Sequence, residues 1–243
     1  MIDKKIHYVW MGRGQKSELI IRCLESWKKH LGDYEIIEWN EDNFDISSNV
    51  FVQEAYQNKK WAFVSDYIRL YVLYNHGGIY MDTDVEILKP IDRFLQHRAF
   101  SGFESIKYVP TALMGAEKGH PWIESLLKYY ENKSFINIDG KFDLAPNVVN
   151  ITEVTTVSYG LKLNNKHQIL ENDLHIYPKE YFCPSDYGHT EKQKRKKVTI
   201  NSYSIHHFNG SWLTMKGRLK VMLRTIFGSR NVETLKRLIN RGL

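Results

Sequence analysis

Along the first third of the chain, short apolar runs alternate with segments whose apolar residues return every three or four positions. Residues 4–11, KKIHYVWM, are rich in β-formers and close at Gly12-Arg13-Gly14, which predicts a first strand ending in a loop. Behind Ser17, the positions Leu19, Ile20, Cys23, Leu24 and Trp27 predict a capped amphipathic helix. Tyr34–Trp39 predicts a second strand, and Asn40-Glu41-Asp42-Asn43 a turn. Strand, helix and strand in so short a stretch make a βαβ unit, so the pattern predicts an α/β fold. A long helix over Trp61–Tyr74 is stopped by Gly77-Gly78, and the apolar strand Ile79-Tyr80-Met81 runs into Asp82-Thr83-Asp84. Residues 85–215 are less regular. They suggest a helix over Trp122–Tyr130, strands near Leu174–Pro178 and Thr199–His206, and a solvated lysine-rich loop over Glu191–Lys197.

Composition narrows the class. At 42% hydrophobic and 13% aromatic residues, the 243-residue chain can bury a core, which excludes disorder and collagen-like structure. It has no apolar stretch of about 18 residues, the length that would predict a transmembrane helix. The opening MIDKKIHYVWMG shows no signal-peptide pattern, and Cys23 and Cys183, in no metal-binding spacing, read as reduced thiols. A cytoplasmic setting is therefore expected. The formal charge of +6 is uneven: residues 216–243 hold eight bases against Glu233, a local +7, which leaves −1 on the preceding 215 residues. A nucleic-acid partner is thereby disfavoured.

Within that tail, Leu219, Met222, Leu223, Ile226 and Phe227 form one stripe, Gly228 a stop, and Val232, Leu235, Leu238 and Ile239 a second stripe behind Asn231. The division expected is a domain over 1–215 and a basic amphipathic helical tail over 216–243. The tail either lies on an anionic membrane surface, making the protein membrane-associated at the inner face, or packs on the domain or a second subunit.

The chemistry concentrates around the two acids. Asp82 and Asp84, two apart in extended backbone, point to the same side and offer hard oxygen ligands at a strand's carboxyl edge. Ala62, Asp66 and Arg69 share one helical face upstream. Asp66 and Arg69 could equally pair with each other as a weak surface bridge.

Residues 61–85, WAFVSDYIRLYVLYNHGGIYMDTDV, resemble the DxD-bearing sugar-transferase region of family 32 glycosyltransferases. This group takes in yeast-type mannosyltransferase relatives and bacterial capsule enzymes, and is similar in this block to the clostridial glucosylating toxins. The pattern is met by Ser65, Asp66, Arg69, Gly77, Gly78, Tyr80, Asp82 and Asp84. The opening KKIHYVWMG resembles the family's first strand, and IHHFNGSW at 205–212 its closing motif, also similar to the His-Phe-x-Gly element of family 8. A central Gly-Pro signature of many relatives is replaced by Asn150-Ile151-Thr152-Glu153, so no acceptor contacts are carried over from it. Phe100–Glu104 and Gly115–Pro121 either lie where an acceptor side would form or are ordinary turns.

The resemblance implies a GT-A type fold, with a mixed, mostly parallel sheet flanked by helices. It implies a metal-dependent retaining transferase that moves a hexose or N-acetylhexosamine from a nucleotide-diphosphate sugar, UDP favoured. The acceptor would be a glycan or lipid-linked saccharide, in surface polysaccharide synthesis. Val9, Trp10 and Asn40 would meet the nucleotide, Trp10 by stacking on the base. Ser65, Asp66, Arg69, Tyr80 and Thr83 would serve the donor, and Ser211 and Trp212 would close over the diphosphate. Mn²⁺, or less favoured Mg²⁺, would be held by Asp82, Asp84 and His207, with His206 as the alternative. Asp66, Arg69, Asp82 and Asp84 are the expected catalytic residues. Two other readings compete: a haloacid-dehalogenase-like phosphotransferase, disfavoured by Val85-Glu86 and the lack of an Asp-Asp dipeptide, and a non-enzymatic carbohydrate- or nucleic-acid-binding module.

Overall fold

The computed structural model describes residues 1–109 and 112–209. Ser211, Trp212 and the whole of the 216–243 tail lie outside the described residues. The βαβ unit forms as expected: β1 (Lys5–Val9), α1 (Glu18–His30) and β2 (Glu35–Trp39), with the strands parallel from Lys5↔Glu35 to Val9↔Trp39. In α1 the buried face is Ile20, Cys23 and Trp27, and Glu18 begins a helix that ends in Lys28, Lys29 and His30, which suits its dipole. Ser17 occupies the N-cap position in extended backbone, but its side chain makes no cap hydrogen bond.

Next come α2 (Val50–Gln57), α3 (Trp61–His76), β3 (Gly78–Met81) and β4 (Val85–Ile87). Gly77 and Gly78 have φ of 66° and 96°, where a side chain is strained. A Cβ on Gly78 would stand 2.8 Å from the Lys5 carbonyl oxygen, so glycine lets β3 close against β1. His7 secures the same corner. Its Nε2 donates to the Gly77 carbonyl at 2.8 Å, and Trp39 Nε1 donates to its Nδ1 at 3.0 Å. That fixes a neutral tautomer, and burial holds the imidazole down at about 4.

The remainder is β5 (Ala99–Gly102), β6 (Leu113–Ala116), α4 (Pro121–Lys128), α5 (Asn147–Tyr159), β7 (Gln168–Leu170), β8 (Leu174–Tyr177), α6 (Lys179–Phe182), α7 (Glu191–Lys197) and β9 (Ser204–His206). The main sheet has the order β2-β1-β3-β6-β5-β8-β7, and β4 pairs with β9 in a separate ribbon. The pairings leave five strands running one way, with β6 and β7 reversed. The sheet is thus mixed and mostly parallel, with helices on both faces, the arrangement of a GT-A type fold. Alternate strand residues feed two cores. Tyr80, Met114 and Ile176 join the α2–α5 side, while Ile79, Met81 and Leu113 join the side of Trp27 and Phe94.

Two expectations are corrected. Glu191–Lys197 is a helix, not a solvated loop: Thr190 and Gln193 form a capping box, Lys194, Arg195, Lys196 and Lys197 fall in its last turn, and Arg195 pairs with Glu86 at 2.6 Å. Membrane association is overturned, because no helix among the described residues is long and apolar enough to cross a membrane. Both cysteines are free and buried.

Candidate active site

The apolar strand β3 ends at Met81, and the chain turns at once: the Val85 N–H donates to the Asp82 carbonyl at 3.0 Å. Asp82 and Asp84 therefore share a side through a turn, whereas extended backbone was expected. The turn delivers the chain into β4, whose partner β9 sets Val85 opposite His206. That register decides the histidine. His206 Nε2 faces Asp84 Oδ1 at 3.4 Å, and one ligand atom each of Asp82, Asp84 and His206 lies within 4.8 Å of the others.

His207, the expected ligand, points to the ribbon's other side. Its ring is 0% exposed, with Nε2 2.9 Å from Glu86 and Nδ1 3.0 Å from Glu191. Lys194 donates to its carbonyl at 2.7 Å. His207 thus fastens the ribbon to α7, and alternation along the strand gives the site to His206.

Burial works against ionising Asp84, yet His206 and the Asn209 N–H, 2.7 Å from Oδ2, hold it down at about 2. Despite its own burial, His206 is raised well above its ordinary range by Asp84. Together they form an ion pair at the end of the DxD turn.

From α3, Arg69 reaches Asp66 at 2.9 Å and Asp82 at 3.3 Å with its side chain 4% exposed. Its guanidinium also lies 4.7 Å from the centre of the Tyr80 ring, and the Tyr80 hydroxyl donates to Asp82 at 3.0 Å. Ser65 Oγ accepts from Arg69 at 3.2 Å. The weak surface bridge considered from sequence is therefore a buried hub. Burial pushes Asp66 up to about 6 against the pull of Arg69.

These groups line a cavity of about 560 Å³. Of the expected site residues, Val9, Trp10, Ser65, Asp66, Arg69, Tyr80, Asp82, Thr83 and Asp84 all reach it. Trp10 is anchored by its indole N–H, which donates to the Gly14 carbonyl at 2.8 Å. Asn40 is not among the lining residues. Its amide donates to Glu38 at 3.2 Å and its oxygen accepts from the Asp42 N–H at 2.9 Å, so it serves its own turn.

Several lining residues escaped the sequence reading as site residues, among them Glu104, Asn147 and Phe208. Glu104, beyond the end of β5, is half-buried, and burial raises its carboxyl, with Asp82 and Asp84 adding to the effect. Asn147, at the start of α5, donates to Asp66 at 3.2 Å. Phe208, at φ 53°, sets its ring 4.0 Å from that of His206. Glu104 fell in a segment already suspected of facing the acceptor, whereas nothing in the local pattern marks Asn147 or the backbone of Phe208.

Residues 17–101 match the family described as "Glycosyltransferase sugar-binding region containing DXD motif". The match takes in Asp66, Arg69 and the DxD turn and stops short of His206. Among curated proteins, the chain is 25% identical over 134 residues to "Inositol phosphoceramide mannosyltransferase 3" of Schizosaccharomyces pombe, covering 52% of this chain. It spans only 36% of that relative's length. Among solved structures, "PaToxG Glycosyltransferase" is similar at 18% identity over 65% of this chain and 70% of that one, with a TM-score of 0.48. The galactosyltransferase LgtC, solved with donor and acceptor sugar analogues, is similar at 12% identity over 84% of this chain and 87% of that one, TM-score 0.44.

Proposed function

We propose that residues 1–215 form a metal-dependent glycosyltransferase domain. It moves a hexose or N-acetylhexosamine from a nucleoside-diphosphate sugar to a glycan or lipid-linked acceptor, in surface polysaccharide synthesis. The observation that carries this reading is the meeting of Asp82, Asp84 and His206 beside the Asp66–Arg69 hub in one cavity. The match to a DXD-containing sugar-binding region supports the chemistry, and the mannosyltransferase relative adds mannose to the sugars in question.

The donor set fits a hard divalent cation, Mn²⁺ favoured over Mg²⁺: two carboxylates and an imidazole converge, and the 3.4 Å between His206 and Asp84 is wider than a tight hydrogen bond. When bound, such a cation neutralises the charge that develops on a leaving diphosphate. Arg69, committed to Asp66 and Asp82, positions both carboxylates, and Asp66 hydrogen-bonds the donor sugar's hydroxyls. Trp10 offers its ring to the base. We infer retention of configuration by a front-face route, in which the leaving phosphate oxygen takes the acceptor's proton while the cavity supplies alignment.

The test is a screen of UDP- and GDP-linked hexoses with Mn²⁺, read by donor hydrolysis and thermal shift, on the parent protein and Asp84→Asn. The variant should stay folded and lose activity by roughly 10²–10³-fold. Full activity in Asp84→Asn, or turnover of simple phosphomonoesters in place of sugar nucleotides, would overturn the reading.

A further inference from the structure

At the opposite end of the sheet, three imidazoles and a carboxylate gather. His97 stands two residues before β5, His167 immediately before β7, Asp173 in the β7–β8 turn and His175 within β8. The rings of His97 and His175 are stacked with centroids 3.5 Å apart. His175 Nε2 is 2.9 Å from Asp173 Oδ1, and its Nδ1 is 3.1 Å from His167 Nε2. Asp173 Oδ2 accepts from the Arg98 N–H at 2.9 Å, which fixes the carboxylate with its other oxygen toward the imidazole. The Tyr177 hydroxyl lies 2.8 Å from His97 Nε2 and orients that ring. One ligand atom each of His97, Asp173 and His175 falls within 4.8 Å of the others.

Packing alone accounts poorly for this group. His97 and His175 are buried at 8% and 6% exposure, and each brings two polar nitrogens into the interior where a carbon ring would need no partner. The next aromatic cluster inward, around Phe94, Phe100 and Phe182, is built from such carbon rings.

The donors also differ from those at the DxD turn. There, two carboxylates accompany one imidazole; here, imidazoles predominate, the preference of a borderline cation such as Zn²⁺. The two sets are well separated, since His97 precedes β5 and the cavity residue Glu104 follows it, a strand span on the order of 20 Å.

We propose that His97, Asp173 and His175, with His167 orienting His175 through its Nδ1, form a second metal site of the Zn²⁺ class that ties β5 to the β7–β8 hairpin. The site has a structural role and does not depend on the transferase reading. Its test is calorimetric titration of the chelator-treated protein with Zn²⁺ in the Asp84→Asn background, which disables the DxD donors. That protein should still take up one equivalent and unfold at a higher temperature with it. Adding Asp173→Asn or His167→Ala, at the two less buried positions of the group, should weaken uptake at least roughly tenfold. Co²⁺ in place of Zn²⁺ should give visible d–d absorption that these substitutions diminish. Absence of Zn²⁺ uptake by Asp84→Asn, or unchanged affinity in Asp173→Asn, would overturn the proposal.

Discussion

Arg69 and Asp66, three apart on α3, have the spacing of an ordinary surface pair, and on an exposed helix such a pair contributes less than about 1 kcal/mol. Folding changes its worth by bringing Asp82 to the same guanidinium and covering all three. Without Arg69, two carboxylates would face each other with little solvent between them. Arg69→Ala is accordingly expected to cost about 3–5 kcal/mol, read from the urea midpoint. A loss below about 1 kcal/mol would mean that water screens the cluster. The same scale explains the adjacent histidines: His206 and His207 have the same chemistry, and only the register Val85↔His206 sends one to Asp84 and the other to Glu86 and Glu191.

Among the elements, the passage from α3 into β3 is the tightest. Gly77 and Gly78 both take positive φ, and a Cβ at either would meet backbone at 2.8 Å, from Lys118 and Lys5 respectively. Gly78→Ala should therefore cost more than the roughly 1–2 kcal/mol of left-handed strain alone, because the Lys5 carbonyl belongs to a paired strand. Denaturant unfolding would show the loss, and metal affinity should fall with it, since β3 carries the DxD turn. An unchanged midpoint would show that β1 and β3 can part without consequence. The α7 helix is the complementary device: Arg195 and Glu191 on α7 reach Glu86 and His207, so a segment remote from the cavity holds the strand that presents His206.

For the whole molecule, buried titrating groups make stability depend on pH. His7 and His97 are both held down at about 4, burial being the main cause. The unfolded chain takes up their protons near 6.5, so their contribution is present above that value and is lost as pH falls toward 4. For His7 alone the difference is on the order of 3 kcal/mol. Asp66, raised to about 6, works the other way between about 6 and its ordinary value of 3.8. Asp84 and Glu86, held at about 2, lose their contributions below roughly 4. Two histidines outweigh one acid, so the urea midpoint of the metal-free protein should fall from pH 6.5 to 4 and further below 4. A flat midpoint between 6.5 and 4 would contradict neutral, buried imidazoles.

Local pattern determined much of this architecture, because strands with period two and helices with period 3.6 write themselves into neighbouring residues. The βαβ opening, the helix over Trp61–Tyr74, the double glycine and the strand into Asp82-Thr83-Asp84 were all legible in that way. Beyond residue 85, β8 and β9 fall where strands were expected, whereas β4, β5, β6 and β7 were not legible, being only three or four residues long, which leaves little periodicity to read. Contacts that depend on distant chain were decided by the tertiary structure alone. The partner of Asp84 comes from β9 more than a hundred residues later, that of Asp66 from the start of α5, and His97 meets His175 only because β5 and β8 pair. Sequence spacing orders the neighbours of a residue along one element, whereas strand register and burial choose which distant side chains share its charge.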